Sequence, residues 1–273
     1  MTKPVLFITG ASSGIGLATV KYFVAKGWEV AATMRNIEKA PAGLKQLQGV
    51  KLYQLDVTVP ETITNALGQA LKDFGAITAV VNNAGYGAIG PFEGASEAQI
   101  QQQIDTNLMG VIRVIQGAIP IFRQQNGGVI VNISSIAGRV GMPLYSLYHA
   151  TKFAIEGLTE SLYYELRPFN IRVRLVEPGP VKTEFNGRSR QDLPTPEDGS
   201  YNGFVQKVNR AYGLVFSYAS TPETVARTIY RATIRKGPVI RYPSGVMAKT
   251  LMVFNKLTPG SIMRLFTRGV LGL

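Results

Sequence analysis

Short apolar runs alternate along this chain with helix-length amphipathic segments. Seven runs predict strands: Val5–Thr9, Glu29–Thr33, Lys51–Asp56, Ala79–Asn82, Val129–Ser134, Ile171–Glu177 and Val239–Tyr242. Several are apolar without strict alternation, which suits strands covered on both faces. The segments between them are long enough for crossover helices, among them Gly14–Lys26, Glu61–Phe74, Ser96–Gln125 and Tyr148–Arg167. A repeating β-α order predicts the α/β class, with a doubly wound, parallel, seven-stranded sheet and helices on both faces. The pattern breaks over 184–220, where Gly187, Pro194, Pro196 and Gly203 sit among polar residues. That stretch predicts a long loop with room for one short helix, and such loops often act as lids over a site.

Composition removes several chemistries. The 273 residues include no cysteine and one histidine, His149. Disulfides, thiolate catalysis and Cys-based zinc sites are excluded, and no metal site is expected. No secretory signal opens the chain, and no run of ~18 apolar residues predicts a membrane span. A cytoplasmic location is expected, with peripheral membrane contact open. The net charge is +12, and after Glu223 there are nine Lys and Arg residues and no acid. No zinc-finger spacing, RNP pattern or basic-aromatic repeat accompanies that charge, so nucleic acid is not the expected partner. An anionic cofactor or an anionic membrane surface suits it better.

The segment Thr9-Gly10-Ala11-Ser12-Ser13-Gly14-Ile15-Gly16 follows the first predicted strand and opens the first helix. Glycines there permit a tight turn, and a helix N-terminus offers unpaired N–H donors and a positive dipole end to a phosphate. A Rossmann-like dinucleotide site is therefore expected, with the spacing G-x-x-x-G-x-G in place of G-x-G-x-x-G. An NAD site usually carries Asp or Glu about 20 residues further on, to bind the ribose hydroxyls. Here that region reads Ala32-Thr33-Met34-Arg35-Asn36, with no carboxylate. A guanidinium can pair with a 2′-phosphate, so Arg35 favours NADP(H).

Tyr148 and Lys152 stand four residues apart, on one face of a predicted helix. A free phenol, with a pKa near ~10, is a poor base at neutral pH. An ammonium ~4 Å away at an effective dielectric of ~20 would favour the phenolate by about 4 kcal/mol, or about three pKa units. Asn132-Ile133-Ser134-Ser135 and Asn82-Asn83-Ala84-Gly85 end two predicted strands, and C-terminal strand ends border the ligand crevice of a parallel sheet. A serine there can bond a substrate carbonyl. Asp105-Thr106-Asn107 lies inside a long helical segment. His149 adjoins Tyr148, but neighbouring helix residues diverge by about 100°, so it is read as structural or substrate-lining. Trp28 is read as core.

Together these residues resemble the short-chain dehydrogenase/reductase family over about Val5 to Thr183. The matching features are Gly10 through Gly16, Asp56-Val57, Asn82-Asn83-Ala84-Gly85, Asn107, Ser135, Tyr148-x3-Lys152, and Pro178-Gly179 with Thr183. Met34-Arg35 resembles the NADP-preferring type, and the stretch around Tyr148 resembles the hydroxysteroid and retinol dehydrogenase branch. The resemblance implies an oxidoreductase, such as a carbonyl reductase, acting on CH–OH and C=O groups. It implies that Tyr148 exchanges the proton, that Lys152 lowers its pKa and binds the nicotinamide ribose, and that Ser135 holds the substrate oxygen. Asn107 would position a relay water. Asp56 and Val57 would contact adenine, Asn83, Ala84 and Gly85 would line the cofactor cleft, and Val181 and Thr183 would fix the carboxamide. Ser12, Ser13, Gly14 and Ile15 complete the phosphate turn. A homo-oligomer is also implied.

The expected substrate walls are Gly141 to Tyr145, with Met142 and Tyr145 facing substrate, and the 184–220 lid. Their apolar character favours a hydrophobic carbonyl or alcohol. The organisation expected is one dinucleotide-binding and catalytic domain over 1–245, lid included, and a basic amphipathic extension over 246–273. That extension would either touch a membrane surface or pack over the pocket or a subunit interface. An epimerase or dehydratase, and a cofactor-sensing module without turnover, are the alternatives.

Overall fold

The computed structural model describes residues 3–183 and 189–272. Seven parallel strands form one sheet: β1 (Val5–Ile8), β2 (Glu29–Met34), β3 (Val50–Gln54), β4 (Ala79–Asn82), β6 (Gly128–Ile133), β7 (Ile171–Pro178) and β9 (Arg241–Ser244), in the order β3-β2-β1-β4-β6-β7-β9. A second, two-stranded parallel sheet pairs β5 (Gly87–Ile89) with β8 (Arg190–Asp192). The helices are α1 (Gly14–Ala25), α2 (Ala42–Lys45), α3 (Pro60–Phe74), α4 (Glu97–Ile104), α5 (Gly110–Gln124), α6 (Ser146–Leu166), α7 (Asn202–Ser217), α8 (Pro222–Ile234), α9 (Val246–Leu257) and α10 (Gly260–Leu271).

Both sheet faces are covered, which explains the strands' unbroken apolar runs. On one face Ile63 of α3, Val114 of α5 and Ile155 of α6 pack on Phe7, Val80 and Ile130. On the other, Val20 and Phe23 of α1 and Ile229 of α8 pack on Leu6, Val30 and Val131. Trp28 belongs to this second layer, edge-on to Phe23 with centroids 5.1 Å apart. Strand order reverses between β1 and β4. The chain ends leaving those strands diverge, and a crevice opens at their C-terminal side.

Three regions differ from the sequence expectation. The last strand begins at Arg241, two residues later than predicted, and tolerates Pro243 because it is an edge strand. The segment 96–125 is helical throughout but contains a π-helical turn at Asp105–Met109 between α4 and α5. Within 184–220, residues 184–188 lie outside the described residues. The remainder holds β8 and the 16-residue helix α7 where one short helix was expected. Gly203 and Gly213 lower its intrinsic helix preference, and the buried Val208 and Tyr212 hold it in place.

Candidate active site

A cleft of about 1670 Å³ runs along the C-terminal ends of β1, β2, β4, β6 and β7. It gathers Gly10, Ser12, Ser13, Gly14, Ile15, Gly16, Arg35, Asp56, Val57, Asn83, Ala84 and Gly85 at one end. Toward the other lie Ser135, Met142, Tyr145, Tyr148 and Lys152, and the same lining includes Pro178, Gly179, Val181 and, beside Gly14, Thr183. Among the residues expected to act in catalysis or to contact cofactor or substrate, Asn107 is the one outside the lining, and His149, read as structural or substrate-lining, is outside it too. Asn107 is 1% exposed, and its side chain spans the Tyr86 backbone, accepting from the N–H at 3.0 Å and donating to the carbonyl at 2.8 Å.

The three glycines of the turn have different duties. A Cβ on Gly16 would stand 2.1 Å from the Gly10 carbonyl oxygen, and one on Gly10 would stand 2.9 Å from Ala84 Cα. These two permit the turn to pack on the end of β4. Thr9 and Asn83 then lock it: Thr9 Oγ1 accepts from the N–H groups of Asn83 and Ala84 at 3.0 Å, and Asn83 Nδ2 donates to the carbonyls of Thr9 and Gly10. Gly14, at φ +52°, faces Thr183 across the opening. The first intrahelical bond of α1 runs from Leu17 N–H to Ser13, and no acid occupies its first turn. The N–H groups ahead of Leu17 border the cleft, so the turn fits an anionic phosphate. Arg35 is exposed on the rim just beyond β2 and makes no ion pair among the described residues.

At the other end, Tyr148 occupies the first turn of α6, and Lys152 follows one turn later. Lys152 Nζ lies 5.5 Å from the Tyr148 ring centroid and donates to the Ile133 carbonyl at 2.8 Å. Burial pulls the Lys152 ammonium down to about 8, opposed by the negative charge of Glu156. Tyr148 departs from the sequence expectation. Burial pushes its phenol above the ordinary value, a hydrogen bond with Ser135 pulls the other way, and Tyr145 adds to the rise. Desolvation of the phenolate is the largest influence on this phenol.

Ser135 begins a 3₁₀ turn after β6, and its hydroxyl accepts from the Ala137 N–H at 3.1 Å. His149 is structural. Its Nε2 accepts from the Met142 N–H at 2.9 Å, so Nδ1 carries the proton and meets the Ala137 carbonyl at 2.6 Å. Burial holds it below the ordinary imidazole value. It ties the Ser135 turn to the 141–145 loop that walls the substrate end.

That wall is extended by residues the sequence did not single out. Tyr212 of α7 donates to the Pro143 carbonyl at 2.8 Å and packs edge-on against Tyr145, centroids 5.4 Å apart. Val215 and Phe216 of α7, Met247, Leu251 and Phe254 of α9, and Phe266 of α10 complete an apolar lining. Of the roles expected for 246–273, packing over the pocket is the one that Met247, Leu251, Phe254 and Phe266 take here. Behind Lys152 lies a charge cluster: Arg241 Nε is 2.9 Å from Glu156 Oε2 and 3.6 Å from Glu177 Oε1, and Arg139 is 3.5 Å from Glu177. Burial, then repulsion from Glu156, pushes the Glu177 carboxyl up to about 7. No group of His, Cys, Asp and Glu able to hold a metal occurs among the described residues.

The short chain dehydrogenase family matches residues 4–194 of this chain. The chain is similar to the uncharacterized oxidoreductase YusZ of Bacillus subtilis, 36% identical over 272 residues and covering 96% of each. It is 35% identical over 266 residues to human retinol dehydrogenase 8, covering 90% of this chain and 85% of that one. A solved short-chain dehydrogenase from Streptomyces avermitilis superposes with a TM-score of 0.82 at 29% identity, covering 93% and 92% of the two chains. ElxO with NADP bound gives 0.73 at 28% identity, covering 88% and 97%. An NAD complex from Burkholderia phymatum, at 24% identity, shares the fold with a TM-score of 0.80, covering 93% and 92%.

Proposed function

This chain belongs to the short-chain dehydrogenase/reductase family of oxidoreductases, and on that premise we propose that it interconverts a carbonyl and an alcohol on a hydrophobic small molecule with NADP(H). The observation that carries the reading is the convergence of Tyr148, Ser135 and Lys152 in a cleft whose far end is the Gly10–Gly16 turn. Bound there, the nicotinamide supplies or accepts the hydride.

In reduction, the Ser135 hydroxyl holds the carbonyl oxygen, and Tyr148 gives that oxygen its proton as the carbon becomes tetrahedral. A phenol kept protonated by burial is the form that step needs. Lys152, whose ammonium burial pulls down to about 8, then supports the return of a proton to the phenolate. Arg35 at the rim, with no carboxylate in Ala32 to Asn36, favours the 2′-phosphate of NADP(H). The apolar wall of Met142, Tyr145, Phe216, Leu251 and Phe254 favours a hydrophobic substrate. The likeness to a protein named retinol dehydrogenase supports the same class.

The test is consumption of NADPH and of NADH against a panel of hydrophobic aldehydes and ketones. Wild type is expected to turn over with NADPH preferred, and Tyr148→Phe to fall by about 10²–10⁴-fold. Equal turnover by both proteins would overturn the reading.

A further inference from the structure

The chain after β9 folds into a helical hairpin. α9 and α10 turn at Thr258 and Pro259 and are held together by Phe254 against Phe266, centroids 5.0 Å apart. Its inner side carries Leu251, Phe254 and Leu271 into the cleft. Its outer side is apolar too: Val253, Leu257 and Leu265 are 60%, 76% and 65% exposed. On α9 the exposed residues Lys249, Val253, Lys256 and Leu257 follow helical spacing and form one stripe. Exposed Arg264 and Arg268 continue the charge on α10. Residues 246–273 include four cations and no acid.

We infer that the outer face of this hairpin docks the protein on the surface of a bilayer containing anionic phospholipid. Large apolar side chains interleaved with Lys and Arg match both layers of such a surface: acyl chains take the former and headgroup phosphates the latter. A second copy fits less well. A two-fold contact sets a patch against itself, and here it would set cations on cations with no acid between them. Neither helix is long and apolar enough to cross a membrane, so the hairpin lies on the surface. On the oxidoreductase reading, one helix thickness would then separate the cleft from the acyl region, a fitting arrangement for a lipid-dissolved substrate. Docking itself does not depend on that reading.

The experiment is density-gradient flotation of the full chain with vesicles of phosphatidylcholine alone, and of phosphatidylcholine with phosphatidylglycerol. Wild type is expected to float with the anionic vesicles and to be largely released by high salt. Lys249→Gln with Lys256→Gln should partition about 30-fold more weakly. Val253→Ser with Leu257→Ser and Leu265→Ser should lose at least about tenfold. None of these five side chains lines the cleft, so both variants should keep the wild-type melting temperature. Failure of wild type to float, or equal flotation of wild type and the lysine variant, overturns the inference. So does a wild-type dimer by light scattering that the serine variant dissolves while vesicles leave wild type unbound. Turnover is not read, so this result and the failure of the proposed reaction remain distinguishable.

Discussion

The two ends of the cleft are built by different means. The turn end is backbone: Thr9 to Gly16 bends within eight residues, and its own glycines and the neighbouring Asn83 hold it. The substrate end is side chains, brought from the 141–145 loop, α7, α9 and α10 across more than 100 residues of sequence. A site made of backbone needs a few residue types at set positions and leaves a motif. A site made of apolar side chains needs only bulk, which many residues supply, and leaves none.

Glycine substitution breaks the comparison most sharply. Gly16→Ala puts a methyl 2.1 Å from a carbonyl oxygen and should cost more than about 3 kcal/mol, with loss of NADPH binding. Gly141→Ala, in the substrate loop, meets nothing within 4 Å and should change stability by less than about 0.5 kcal/mol. Thermal unfolding with and without NADPH reads both; similar costs would show that the turn is no more constrained than the loop.

The charge cluster behind Lys152 is sensitive to pH. Glu177 is pushed up to about 7 in the fold from 4.5. The raised value means its contribution to stability is fully present below pH 4.5 and is lost as pH rises through about 7. Glu177→Gln should flatten that loss, which amounts to no more than about 3.5 kcal/mol. Urea midpoints measured across this window check it, and an unchanged slope would assign the pH dependence elsewhere.

The smallest effect belongs to the substrate wall. Tyr212→Phe removes the bond to the Pro143 carbonyl and should cost about 1 kcal/mol. It should raise KM for a hydrophobic carbonyl several-fold and leave NADPH affinity unchanged. A matching loss of NADPH affinity would mean that the two ends are not separately built.

These contrasts account for what was legible in advance. The five interior strands were read to within one residue at either end because burial on both faces makes them uniformly apolar. The edge strand β9, carrying Pro243, gave a weaker pattern and was placed two residues early. The turn residues, Tyr148, Lys152 and Ser135 were visible because strand ends and helical spacing gather them. Asn107 was visible as a residue, but not as a brace on Tyr86, since the π-helical turn that aims it has no local signature. α7 was hidden by Gly203 and Gly213, and β5 and β8, three residues each, stand only through each other.

From the chain alone came the α/β class, the parallel order, the phosphate turn and the Tyr-Lys spacing. Each follows from residue type and short-range periodicity, which act over a few positions. Tertiary structure alone decided the direction in which burial shifts that pair and which side chains of α7, α9 and α10 complete the wall that faces it. Desolvation depends on everything packed around a group, and burial raised the phenol where a neighbouring ammonium by itself would have lowered it.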